Sequence, residues 1–118
     1  MLYTANYSAV NHKGNLKVYY LKEGFGNDAV SPDQKDLAKY YSNAITWKGM
    51  KMNYMAKLMR KDADDWMKKV AEEVLVKDVV IIDDEKDVEN SFRKILAELM
   101  ASMFGSNFRF KFAGELDS

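Results

Sequence analysis

Val79-Val80-Ile81-Ile82-Asp83-Asp84-Glu85 constrains the fold more than any other stretch of this chain. Four β-branched residues in a row are too few for a helix and suit a buried strand. Three carboxylates then stop the run. Behind them Val88, Phe92, Ile95, Leu96, Leu99, Met100, Met103 and Phe104 recur at helical spacing, and Gly105 stands where a helix can end in the left-handed conformation. Asp83 or Asp84 is expected to cap this helix, with Glu85, Asp87 and Glu89 where its dipole favours negative charge. In Asn107–Phe112, Phe108, Phe110 and Phe112 alternate with Arg109 and Lys111, the pattern of a second strand.

The earlier chain must pack around that strand-helix-strand unit. Residues 2–10 alternate Tyr3, Ala5, Tyr7 and Ala9 with polar neighbours, and residues 16–22 are rich in aromatic and β-branched side chains. The turn-forming cluster Asn11-His12-Lys13-Gly14-Asn15 between them predicts a β-hairpin. Ser31-Pro32-Asp33-Gln34 predicts a helix start with Ser31 as cap, Pro32 in the first turn and Gln34 closing a capping box, the helix ending before Gly49. A second helix is expected within Lys48–Lys61. A third, capped by Asp62, carries the stripe Trp66, Met67, Val70, Ala71 and Val74. The order β-β-α-α-α-β-α-β predicts one α+β domain over residues 1–118: an N-terminal hairpin, three helices, then the strand-helix-strand unit. Its sheet is expected to be mixed, of about four strands, with helices on one face.

With 118 residues and 47% apolar content the chain can build one core without staples. It has no cysteine, which excludes disulfides, thiolate metal sites and a cysteine nucleophile and fits a reducing, cytoplasmic setting. No window is apolar enough to cross a membrane, and the N-terminus lacks the pattern of a signal peptide. His12 is the single histidine, so a histidine metal cluster is excluded, and no nucleophile elbow accompanies it. Asn6-Tyr7-Ser8 matches a glycosylation triplet, which carries no weight without a secretory signal.

The acids of the central stretch form the first chemical candidate. Carboxylates at the carboxyl end of a strand can hold Mg²⁺ and orient a phosphate. The string from Val79 to Val88 resembles the first strand and acidic pair of response-regulator receiver domains, and the likeness extends through the next helix and loosely to Ala113-Gly114-Glu115. That resemblance implies metal-binding roles for Asp83 and Asp84. The chain leaves no room for the family's phosphoacceptor strand or its later Ser/Thr and Lys. The same string is similar to a Walker B strand, but no Gly-x-x-x-x-Gly-Lys-Ser/Thr occurs. An EF-hand reading fails at Val88 and Lys94, which stand where glycine and the bidentate glutamate belong. Helix capping is therefore the preferred role for these acids, with Asp83 and Asp84 kept as metal candidates and no cofactor assigned.

Charge supplies the second candidate. From Gln34 to Lys61 seven Lys/Arg face one acid, whereas from Asp62 to Glu98 six Lys/Arg face twelve acids. Lys35, Lys39, Lys48, Lys51, Lys57, Arg60 and Lys61 interleave with Tyr40, Tyr41, Trp47 and Tyr54, a mixture able to neutralise phosphates and stack on bases. The third candidate is Met50, Met52, Met55, Met59 and Met67, flexible thioethers suited either to core filling or to an adaptable partner surface. The expectation is a non-enzymatic interaction protein that binds a protein partner through a charge-segregated surface, with self-association of basic on acidic block as one form. Such a chain would suit a phage or bacterial accessory role. Its binding residues would be Lys35, Lys39, Tyr40, Lys48, Lys51, Tyr54, Lys57, Arg60 and Lys61. Nucleic-acid binding through residues 34–61 is the alternative, and Mg²⁺-dependent phosphate chemistry at Asp83 and Asp84 a second one.

Overall fold

A computed structural model of the chain describes residues 1–12 and 15–116, the side chains of residues 10–12 excepted. Four strands, β1 (Leu2–Asn6), β2 (Lys17–Tyr20), β3 (Val79–Asp83) and β4 (Phe112–Glu115), form one sheet in the order β2-β3-β1-β4. Every pairing is parallel. Helices α1 (Gln34–Tyr41), α2 (Trp47–Leu58) and α3 (Lys61–Val74) lie between β2 and β3, and α4 (Phe92–Phe108) lies between β3 and β4.

The mixed sheet and the N-terminal hairpin expected from sequence are both overturned. β1 and β2 do not pair. β3 occupies the slot between them, in register from Leu2↔Val79 to Asn6↔Asp83 on one side and from Lys17↔Val79 to Tyr20↔Ile82 on the other. The physical reason lies in β3 itself, whose five residues are all buried. A strand apolar on both faces gains most from a position with neighbours on both edges and cover above and below. β1 also stops early, at Asn6. The Asn6 Oδ1 accepts the Ser8 N–H at 3.1 Å and the Ser8 hydroxyl at 2.6 Å, which turns the chain into a 3₁₀ segment, Tyr7–His12. The turn expected at Asn11–Asn15 falls partly outside the described residues, at Lys13 and Gly14.

All four helices share one face of the sheet. Leu2, Val79 and Ile81 join a core with Met50, Tyr54, Met67, Val70, Leu96 and Met100, against which Leu37 and Tyr40 of α1 also pack. On the other face, among the described residues, Ala9, Leu16 and Leu116 with Tyr3 and Tyr20 pack around Ala5, Val80 and Ile82.

Several helix ends differ from the sequence reading. Asp33, not Ser31, is the N-cap of α1, because the buried Ser31 hydroxyl donates to the Asn27 carbonyl at 2.7 Å. The free Gln34 N–H is taken instead by Glu23 Oε1 at 3.2 Å. Thr46 caps α2 through the Gly49 N–H, and Arg60, not Asp62, precedes α3. α4 begins after a 3₁₀ segment that includes Val88, and it runs past Gly105 to Phe108. Arg109 takes the left-handed cap at φ 55° and ψ 40°. Residues 107–108 are therefore helical and the last strand starts at Phe112, although Phe108, Phe110 and Phe112 still all face the main core.

Candidate functional site

Because the sheet is parallel, the ends of β1, β2 and β3 and the start of α4 meet at its carboxyl edge, where open α/β sheets usually present their ligand crevices. Asp83 is the last residue of β3 and is 2% exposed. Its Oδ2 accepts the N–H groups of Phe92 and Arg93 at 2.9 and 3.0 Å, while Oδ1 accepts the Glu85 N–H and the Arg93 guanidinium. Asp83 thus caps α4 from nine residues upstream, beside the local cap that Ser91 gives to Lys94 N–H.

Arg93 is wholly buried and bridges the ends of β3 and β4 through Asp83 and Glu115. It also reaches the Glu85 carbonyl, and its Nε and Nη2 form a fork on the Glu115 carboxylate at 3.0 and 2.6 Å. The Thr4 hydroxyl donates to the same carboxylate at 2.7 Å, and Asn6 Nδ2 donates to the Glu85 carbonyl at 2.9 Å. Burial pushes the Asp83 carboxyl up despite the opposing charge and hydrogen bonds of Arg93. Burial also opposes ionisation of Glu115, but hydrogen bonds from Arg93 and Thr4 outweigh it and hold that carboxyl below its usual range. Burial would lower the Arg93 pKa, but bonds to Glu115 and the charge of Asp83 raise it.

The metal candidates therefore part company. Both Asp83 oxygens point at protein donors within an ion-paired cap. Asp84 faces outward, accepts the Tyr20 hydroxyl and lies 3.6 Å from Lys22 Nζ. Among the described residues no group of three or more His, Cys, Asp or Glu side chains is disposed to hold a metal ion.

Beside this network a cavity of about 340 Å³ opens between the ends of β2 and β3 and the outer turns of α1. Leu21, Leu37 and Phe92 give it an apolar lining, and Asp84, Glu85 and Tyr41 stand around it. The Tyr41 hydroxyl donates to Glu85 Oε1 at 2.7 Å. Burial raises the pKa of Glu85, the Tyr41 hydrogen bond pulling against it, and burial together with that bond raises the pKa of Tyr41.

The basic block does not gather into one patch. Tyr54 is 1% exposed and its hydroxyl donates to the Val30 carbonyl, so it belongs to the core. Lys57 is buried against Asp33, with Nζ and Oδ1 2.7 Å apart. Lys61 pairs with Asp65, Arg60 shares a depression with Asp33 and Asp36, and Lys35 and Lys39 share another with Glu23, Asp33 and Asp36. Tyr40 is half-buried against Trp47, with ring centroids 5.6 Å apart. Lys48 and Lys51 remain, exposed on α2 and in no ion pair among the described residues.

The methionines divide cleanly. Met50 and Met67 are fully buried, whereas Met52, Met55 and Met59 are 64%, 40% and 64% exposed. The exposed three stand three and four residues apart and so share one face of α2, with Met59 at its C-cap. Lys48 and Lys51 lie one turn before Met52 and Met55 on that face. Opposite them Met50, Tyr54, Lys57 and Leu58 are buried.

Arg93, Glu115, Thr4 and Asn6 did not emerge from the sequence reading. For Arg93 a signal existed: it lies on the same helical face as Ala97, Met100 and Phe104, an inward position for a charged residue. Comparison with protein-family models, curated proteins and solved structures finds no match for this chain.

Proposed function

We propose that this chain is a small non-enzymatic binding module that docks a protein partner on the outer face of α2. One observation carries the reading: Met52, Met55 and Met59 form an exposed apolar stripe on a helix whose opposite face is in the core. Solvated helix faces are normally polar, and flexible thioethers suit a surface that must fit side chains of a partner. Lys48 and Lys51 adjoin the stripe with no ion pair among the described residues, so the complementary partner is an amphipathic helix with an apolar seam and acidic flanks. The like charges that two copies of this face would bring together oppose self-association through it.

The test uses methionine-methyl ¹³C spectra and a synthetic helical peptide with a leucine face and glutamate flanks. The peptide should shift the methyls of Met52, Met55 and Met59 and leave those of Met50 and Met67 in place. The shift should weaken with added salt and be absent for a peptide with lysine flanks. Equal response to both peptides, or none at millimolar concentration, would remove the proposal.

A further inference from the structure

We infer that the cavity at the carboxyl ends of β2 and β3 is a binding site for a small organic cation, an ammonium or amidinium group carried on an apolar body. This site is separate from the α2 face and rests on its own geometry.

The volume sets the size of the ligand. About 340 Å³ equals the liquid volume of roughly eleven waters, enough for one ring or a short chain with its head group. The lining sets the body. Leu37 and Ala38 of α1 offer an accessible apolar side wall rather than hydrogen-bond partners, and Leu21 and Phe92, 3% and 1% exposed, form the floor beneath it. The rim sets the head group. Glu85 commits Oε1 to Tyr41, and Glu23 commits Oε1 to the Gln34 N–H. The second oxygen of each has no partner among the described residues. Asp84 adds a third carboxylate, opposed only by Lys22 at 3.6 Å.

Four carboxylates line the cavity; with Asp83 paired to Arg93, the other three stand against Lys22 alone and disfavour a phosphate or carboxylate ligand on Coulombic grounds. A bare divalent ion is disfavoured in turn, because these acids do not converge as ligands of one metal. A cation spread over several atoms and anchored by an apolar body satisfies both conditions. Burial already raises the Glu85 pKa, and a cation bound beside it would lower it again. Tyr41 is 59% exposed and reaches from the end of α1 to Glu85 at the rim.

The probes are phenethylamine, benzamidine, phenylacetate as their anionic counterpart, and Mg²⁺ alone, each titrated into the full chain and followed by NMR. Phenethylamine or benzamidine should shift the methyls of Leu21 and Leu37 and lower the Glu85 carboxyl pKa. Phenylacetate and Mg²⁺ should leave those methyls unmoved. Glu85→Gln should weaken amine binding at least fivefold, and Ala38→Phe, which fills the cavity from the exposed side of α1, should abolish it. Each variant's melting curve is recorded alongside, so that a loss of binding is credited only to a folded protein. The inference is overturned if phenylacetate binds as well as the amines, if Mg²⁺ alone reproduces the shifts, or if both folded variants bind the amines unchanged.

Discussion

Arg93→Met tests how far the carboxyl edge depends on one buried cation. The substitution keeps most of the apolar stem and removes the guanidinium, leaving Asp83 with its N–H donors from Glu85, Phe92 and Arg93's own position but without a counter-charge. Breaking one side of a buried ion pair costs about 3–5 kcal/mol. The lower end applies, because three backbone donors still solvate the Asp83 carboxylate and Glu115 can turn toward water. A loss of about 3 kcal/mol is a large share of the roughly 5–15 kcal/mol that holds a domain together. With a urea slope of about 2 kcal/mol/M, the unfolding midpoint should fall by about 1.5 M. Asp83→Asn should cost a similar amount, since either amide orientation sets an NH₂ against groups that donate. The double variant should be milder than the sum of the two by about 1–3 kcal/mol, because each single change already strands the other partner. An additive cycle, or an Arg93→Met midpoint within experimental error of the parent, would refute the reasoning.

Other substitutions probe separate parts of the fold. Tyr54→Phe leaves the buried Val30 carbonyl without its donor and should cost about 1–3 kcal/mol, read by thermal melting. Arg109→Gly relieves a left-handed φ of 55° and should stabilise the protein by about 1 kcal/mol, a rise in Tm of about 3–5 °C. Glu115 has its folded pKa below the ordinary value of 4.5, so its stabilising contribution is complete above that pH and disappears as the pH drops through the folded value. Glu115→Gln should therefore be less stable than the parent at neutral pH but lose less Tm on acidification below that value. Parallel melts over the acid range would show it, and an equal acid slope for both proteins would contradict it.

The elements were largely legible where local chemistry fixes them. The unbroken run Val79–Ile82 and the stripe from Phe92 to Phe104 announce β3 and α4, because burial and period write directly into residue order. Pairing is a different matter. Alternation in residues 2–10 and 16–22 reports that one side of each strand is buried, not which strand lies beside it. A turn-rich segment between them suits a hairpin as well as a crossover, and only the two-sided apolarity of β3 argues for its central position. Caps proved similarly nonlocal: Asp83 reaches α4 across nine residues and Glu23 reaches α1 across eleven. The surface was the least legible. The lysines of residues 34–61 look like a patch in one dimension, yet folding sets Asp33 and Asp65 beside them and buries Tyr54 in the core. The Met52, Met55 and Met59 stripe was visible as a pattern, but only α2's orientation decides that it faces water.

The central place of β3 also dictates an order of assembly during synthesis. A chain emerging from the ribosome presents β1 and β2 long before residues 79–83, and neither has a strand to bind until β3 arrives, since they are never neighbours. β4 then adds to the far edge of β1 only after α4 is made. Sheet closure thus waits for β3, α4 and β4 to be made, and until then the first two strands are open edges, the state in which nascent chains are exposed to mispairing and to capture by chaperones.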